Sequence, residues 1–413
     1  MVSPFLPDDV QLAAVREALP ATGAGIYLNT GTSGPIPRET ARAMTELAEI
    51  ELTRGRASWD DYVAGVQRMA EARAAVAAIL TADVETVALT YSTTDGMNIA
   101  ALGLDWSPGD RVVSTTLEHV GGLAPLQVLR DRRGVDVTLV DVGRGGDDER
   151  TLAAFDAAIT PATKLVSVSH VAWSTGARLP VRAIADLAHA RGALVLVDGA
   201  QAAGAIPVDV AAVGADAYAV PAQKWLLGPE GMGALWVSAS AIERIQPSIA
   251  GYFAFDTPGV RPPFRFFPDA RRFEAGSRHQ PSVLGFARSC GWLAMHVGLD
   301  FVYRRAAALA ARFADALVAT PGVELVTPRD HLATLVTFRI EGWPAQDALD
   351  ELGRRAFAIA RVIPETDWLR ASVGFFNTEA ELDRVVATVA ELARYTPDTL
   401  PRRPTIEILG QGA

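Results

Sequence analysis

The sequence predicts an α/β fold: a mostly parallel sheet with helices on both faces, accompanied by a smaller α+β domain. Three observations carry this expectation. Between about residues 86 and 238, short β-branched runs alternate with amphipathic segments, the pattern of strands connected by covering helices. The chain's 413 residues exceed the ~250 to 300 at which a single core stops growing, so two domains are expected. A composition of 49% hydrophobic and 21% charged residues is that of an ordinary globular protein.

Taken in order, the stretch through residue 20 reads as a helix that joins the smaller domain. The central strands are TVALTYS, RVVSTTLEH and KLVSVSHV, each followed by a helix, then ALVLVD, AYAV and GALWVS. Residues 251 to 285 break the alternation. GYFAFDTPGVRPPFRFFPD is rich in Pro and aromatics and reads as a long loop. Apolar residues then recur at helical spacing from Leu299 to about Thr320, which predicts a connecting helix. Beyond it ATLVTFRI, AFAIARVI and WLRASVGF are strand-like, and a helix is expected near Glu379 to Arg394. These readings give a large domain over 21–285, a small domain from 1–20 and 286–400, and a tail over 401–413 without periodicity. No internal repeat or low-complexity tract interrupts them.

Charge and cysteine usage exclude several classes of function. The net charge of -10 is spread without a basic stripe, which argues against nucleic acid or an anionic membrane as partner. A single cysteine, Cys290, excludes an internal disulfide and fits a reducing compartment. The opening MVSPFLPDDVQLAAVREALP has acids and prolines where a signal peptide has a basic start and an apolar stretch. No run approaches the ~18 apolar residues of a membrane span. The expected location is the cytoplasm.

The chemistry lies at the ends of two strand-like runs. LVLVDGAQ places Asp198 and Gln201 after an apolar run, and AVPAQKWLLGPEGMGALWV places Lys224 after another, 26 positions beyond Asp198 (224 minus 198). In an α/β sheet, strand ends are where ligands bind, so a carboxylate and an amine can reach one cleft. That pairing suits pyridoxal phosphate. A lysine amine forms a Schiff base with the cofactor aldehyde, and a carboxylate keeps the pyridine nitrogen protonated so that the ring accepts electrons. Lysine is apt because burial and neighbours shift its pKa readily.

At these residues the chain resembles the class V aminotransferase family of fold type I pyridoxal phosphate enzymes. The resemblance runs from YLNTGTSGPIP at Tyr27 to LRASVGFFNTEAELD ending at Asp383, and DGAQ followed by KW..GP.G.G is its most specific part. It implies Lys224 as the Schiff-base lysine, Asp198 as the pyridinium partner and Gln201 as a donor to the ring oxygen. YSTTDGMN resembles the family's phosphate-binding turn, with Thr93 and Thr94 as ligands; free amides opening the following helix favour an anion there. His119 in LEHVGG stands where relatives place a ring over the cofactor, although some members use the next position, here Val120. Gln223 replaces a common His and Pro221 a small hydroxyl residue, so one phosphate contact is altered. Ser277 in FEAGS matches a position that reaches the neighbouring subunit's phosphate, which implies a homodimer with shared active sites. Arg361 and Arg370 match two arginines that hold a substrate carboxylate, a task suited to the planar guanidinium fork. Trp173, Tyr252 and Asn29 complete the substrate-contacting set, and no metal site is expected.

Within this family, cysteine desulfurases carry a nucleophilic Cys between the two arginines. The segment here, VIPETDWL, has none, and Cys290 lies in a helical pattern as a small buried hydrophobe. GLDWSPGD, LEHVGG, SHVAWSTG and the nine-position arginine spacing (370 minus 361) are similar to the cystine carbon–sulfur lyase branch, with Trp173 where desulfurases have Asn. The resemblance therefore implies β-elimination from a cysteine- or cystine-type amino acid. The same Lys, Asp and arginines would also serve an aminotransferase, an epimerase or a desulfurase-like enzyme. A non-catalytic binding module fits least, because Lys224 is intact.

Overall fold

The computed structural model describes residues 2–256, 259 and 261–401, so the expected tail lies outside the described residues apart from Pro401. The chain opens with α1 (Asp8–Ala18), acidic in its first turn and basic in its last, as the helix dipole favours. Gln11 donates to the Val297 carbonyl and Arg16 to the Phe376 carbonyl, and Val15 enters the larger apolar cluster, the one that also takes in the central sheet. The short β1 (Ile26–Tyr27) follows, then α2 (Arg38–Arg54) and α3 (Trp59–Leu80), the last entered through a Ser58–Asp61 capping box.

The central region alternates β2 (Val87–Thr90), α4 (Thr93–Leu102), β3 (Arg111–Thr115), α5 (Val120–Arg133), β4 (Asp136–Val140), α6 (Asp148–Ala158), β5 (Thr163–Ser169), α7 (Val181–His189) and β6 (Leu194–Asp198), then β7 (Ala217–Pro221) and β8 (Gly233–Val237). The strands form one seven-stranded sheet of order β2-β8-β7-β6-β5-β3-β4. Every pairing is parallel except those of β8, which runs against β2 and β7. Successive residues serve opposite faces: Val195 and Val197 enter one apolar cluster, Leu194 and Leu196 another. The expected mostly parallel sheet, covered on both sides, is what forms. β4 is the strand the sequence reading passed over. It lies at the sheet edge with only Val140 buried, so DVTLV lacks an apolar run.

In the expected loop over 251–285 two short 3-10 turns form, and α8 (Gln280–Gly291) begins before the loop's expected end. α9 (Leu299–Val318) is the connecting helix. The remainder comprises β9 (Val323–Leu325), β10 (Leu335–Ile340), α10 (Ala345–Ala356), β11 (Ala358–Ile359), β12 (Arg361–Ile363), β13 (Trp368–Ser372) and α11 (Glu379–Leu392). An antiparallel sheet of order β12-β13-β10-β9 packs against α9 and α10, with α11 lying on those two helices, while β11 pairs in parallel with β1. AFAIARVI thus divides between two sheets at Ala360. Ile26 and Leu28 pack with Phe313, Phe338 and Leu352 in this smaller core, so β1 is the thread that ties the N-terminal segment to it.

Candidate active site

Strands β3, β5, β6 and β7 run parallel and end on one edge of the large sheet, the edge at which such sheets bind ligands. A cavity of about 240 Å³ opens there, against the small domain's β12 and β13. Asp198, the last residue of β6, and Lys224, in the turn three residues after β7, both line it, as does Gln201. The two-strand argument from spacing therefore places the carboxylate and the amine in one cleft.

Their surroundings set their charge. Asp198 is buried, and desolvation raises its carboxyl pKa; Lys224 and the Ala200 amide, which donates to Oδ1 at 2.9 Å, pull the other way. Lys224 keeps part of its surface open to the cavity, yet protein surrounds it almost completely. Burial lowers its amine to about 8; Asp198 opposes that shift, and Arg370 and Arg361 add to it. The cation still predominates at neutral pH, but the neutral fraction is far larger than that of a solvent-exposed lysine. Gln201 donates to the Gly31 carbonyl at 2.9 Å and accepts from the Trp225 indole at 2.9 Å, which leaves one amide hydrogen for a ligand.

An anion cradle forms at the start of α4. Ser92 caps the helix by accepting from the Asp95 amide at 3.0 Å, and Ser92, Thr93 and Thr94 line the cavity. The Thr93 hydroxyl is buried and has no partner among the described residues, a donor aimed at something the protein does not supply. Gly121 lets α5 approach: a Cβ there would sit 2.4 Å from the Thr94 hydroxyl. His119 caps α5, its Nδ1 accepting from the Gly121 amide at 3.0 Å, so a neutral ring carries its proton on Nε2. Burial, then the cations Lys224, Arg361 and Arg370, lower His119 to about 4 and keep that ring neutral. His119 lines the cavity, whereas Val120 is exposed. Gln223 and Pro221 also lie on the wall.

The arginine pair follows from a hairpin. In β12 and β13 the register sets Arg361 opposite Arg370, which is why a nine-position spacing delivers two guanidiniums to one place. Both point at the Thr32 hydroxyl, at 3.2 Å and 3.5 Å. Arg370 also donates to the Trp173 carbonyl at 2.7 Å, its Nε lacks a partner, and Arg361 lies 5.7 Å from the centre of the Trp173 ring. Among the described residues neither arginine has a carboxylate partner. Two neighbouring cations held only by neutral groups form a site built for an anion.

Three expected residues stand outside the cavity lining. Asn29 is one step away, accepting from Thr32 through Oδ1 at 2.8 Å. Tyr252 and Ser277 contact each other at 3.0 Å and line a separate groove beside α2 and α3 in the same chain. Sequence reasoning missed Thr32, Ser169 and Glu118. Ser169 ends β5 beside Asp198 in register, so strand-end position was the signal available for it; Glu118, in the loop after β3, offered none.

Comparison with known proteins gives a consistent result. The "Probable cysteine desulfurase" of Methanothermobacter thermautotrophicus is 29% identical over 397 residues, 92% of this chain and 97% of that protein. That of Halobacterium salinarum is 31% identical over 329 residues, 75% of this chain and 77% of that one. Among solved structures, the complex between the cystine C-S lyase C-DES and its reaction product cysteine persulfide superposes with a TM-score of 0.85 at 26% identity, covering 90% of this chain and 99% of that one. The sequence profile of class V aminotransferases matches residues 26–385, and the chain belongs to that family.

Proposed function

We propose that this protein is a pyridoxal phosphate-dependent carbon–sulfur lyase that eliminates the sulfur substituent from Cβ of a cysteine- or cystine-type amino acid. The observation that carries the reading is the convergence, in one cavity, of a lysine whose pKa burial has lowered, a buried carboxylate and an arginine pair with no cysteine nearby. The residues fit the cofactor: Lys224 for its aldehyde, Asp198 for its ring nitrogen, Gln201 for its ring oxygen and His119 for its face. The unpartnered Thr93 hydroxyl, Thr94 and Gln223 suit its phosphate. When bound, pyridoxal phosphate supplies an electron sink adjacent to the substrate's Cα.

The chain's own residues do the rest. Arg361 and Arg370 grip the substrate carboxylate and fix the direction of the Cα–H bond, positioning of a kind that contributes up to about 7–11 kcal/mol. Lys224 removes the Cα proton. The electron pair released forms a Cα–Cβ double bond while the Cβ–S bond breaks, sulfur departing with its bonding pair. Water then converts the freed enamine to pyruvate and ammonia. No thiolate is at hand to take the sulfur instead. The turn between β12 and β13 spans only residues 364–367, and Cys290 is buried in α8, where desolvation raises its thiol pKa.

The proposal extends to assembly and location. Ser277 and Tyr252 act in the partner's cavity of a cytoplasmic homodimer, a reading supported by their groove and by exposed Trp59, Tyr62 and Tyr252 around it. Among the described residues no helix is long and apolar enough to cross a membrane. Screening amino acids for keto-acid release, with and without an added keto acid, tests the reaction. Pyruvate and sulfide or persulfide without an acceptor are expected; amino-group transfer that requires the acceptor would replace the lyase reading with an aminotransferase.

A further inference from the structure

Glu118 has no part in the chemistry above, yet it sits against the site. It lies in the loop between β3 and α5, is only 6% exposed, and collects three hydrogen bonds. Thr115 Oγ1 donates to Oε1 at 2.7 Å, the Ser169 amide to Oε1 at 3.1 Å, and Ser169 Oγ to Oε2 at 2.5 Å. Among the described residues it forms no ion pair. Ser169 is the register partner of Asp198 across β5 and β6, so the two side chains are neighbours on one face of the sheet, and both residues line the cavity.

We propose that Glu118 is a positioning residue which, through the Ser169 hydroxyl, sets how strongly Asp198 holds the proton on the cofactor's ring nitrogen. The inference rests on reading the cavity as a pyridoxal phosphate site. Ser169 has a single hydroxyl hydrogen. When Glu118 is ionised, that hydrogen is committed to Oε2, and Ser169 offers only lone pairs to the cavity. Asp198 then has no hydroxyl donor from this side and keeps its full affinity for the ring proton. When Glu118 carries a proton, it donates to Ser169 Oγ, and the hydroxyl hydrogen is released towards Asp198. A donated hydrogen bond stabilises the Asp198 carboxylate and weakens its claim on the ring proton.

The surroundings keep Glu118 close to this balance. Burial raises its carboxyl to about 7, the Ser169 and Thr115 hydrogen bonds lower it, and Asp198 raises it further. The titratable group that acts on it is Asp198 from β6, while Thr115 at the end of β3 and Ser169 at the end of β5 supply the hydrogen bonds.

Holoenzyme reconstituted with pyridoxal phosphate allows the test, read as the pH midpoint of the cofactor's visible absorbance. Glu118→Gln turns an amide donor towards Ser169 and frees its hydroxyl. Glu118→Asp keeps the charge but shortens the reach. Both are expected to raise the midpoint by ~0.5 pH unit or more, because a ring that holds its proton less firmly draws less charge from the linked nitrogen; the size is the scale on which a hydrogen bond to a carboxylate acts. In a Ser169→Ala background the same changes are expected to move it far less. An unmoved midpoint in either folded variant, or an equal shift without the Ser169 hydroxyl, overturns the proposal; if the Gln variant does not fold, the Asp variant decides. A wild-type protein that develops no visible band fails the cofactor reading itself, and the proposal falls with it.

Discussion

At the scale of single residues, Lys224 is under opposing demands: its chemistry needs a neutral amine, while the unfolded chain offers it full hydration as a cation. Its ordinary value of 10.5 falls to about 8 on burial, so between those values the unfolded state binds more protons and the cofactor-free fold gains stability as pH rises. Cofactor-free Lys224→Met is therefore expected to melt above wild type at pH 7, with the difference shrinking as pH rises past 8 towards 10.5; thermal melts across that range check it. Lys224→Ala should bind the cofactor without the visible absorbance of a lysine-linked form, and a retained band would point to another lysine. Arg370→Lys loses the fork that spans Thr32 and the Trp173 carbonyl. Loss of one hydrogen bond to a charged group, about 1.5–3 kcal/mol, corresponds to a KM about 10- to 100-fold higher in steady-state kinetics.

At the scale of elements, the site is where strand ends meet helix starts, and that explains what could be read in advance. β6 and β7 announce themselves because strands buried on both faces must be apolar throughout, so the residues that end the runs stand out. α2 and β4 are nearly silent for the converse reason: α2 buries only Thr40, and half-exposed edges carry no apolar stripe. Glu118 was invisible because an isolated acid in a loop reads as a solvated one, and only the fold brings Ser169 to it from 51 positions away. Thr32 was likewise beyond reach, since its role depends on β12 and β13 arriving from the far end of the chain. The α4–α5 contact gives a test at this scale. Gly121→Ala would crowd the Thr94 hydroxyl and turn it away, so cofactor affinity measured by equilibrium dialysis should fall while helix content by circular dichroism stays unchanged.

At the scale of the whole molecule, the cavity depends on parts that do not touch it. Arg73 on α3 and Glu274 form a buried pair at 2.9 Å, and Glu274 also accepts from the Leu89 amide of β2, so one carboxylate fastens the outer helix to the sheet. Glu274→Gln leaves a buried guanidinium unpaired and should cost about 3–5 kcal/mol in urea unfolding. Assembly is tested by Trp59→Asp, which places a charge on the aromatic face: if the proposed homodimer forms there, wild type sediments as a dimer and this variant as a monomer in sedimentation velocity. The layout was legible at this scale: the mostly parallel sheet, the connecting helix and the strands of the smaller sheet followed from alternation and periodicity. The hairpin of β12 and β13 carries a final consequence. Its arginines are aligned by ladder pairing rather than by the four residues that join the strands, so the turn is a replaceable module. A longer segment bearing a thiol could be grafted there without disturbing the carboxylate grip, and lineages that differ in the fate of the released sulfur could diverge by loop exchange alone.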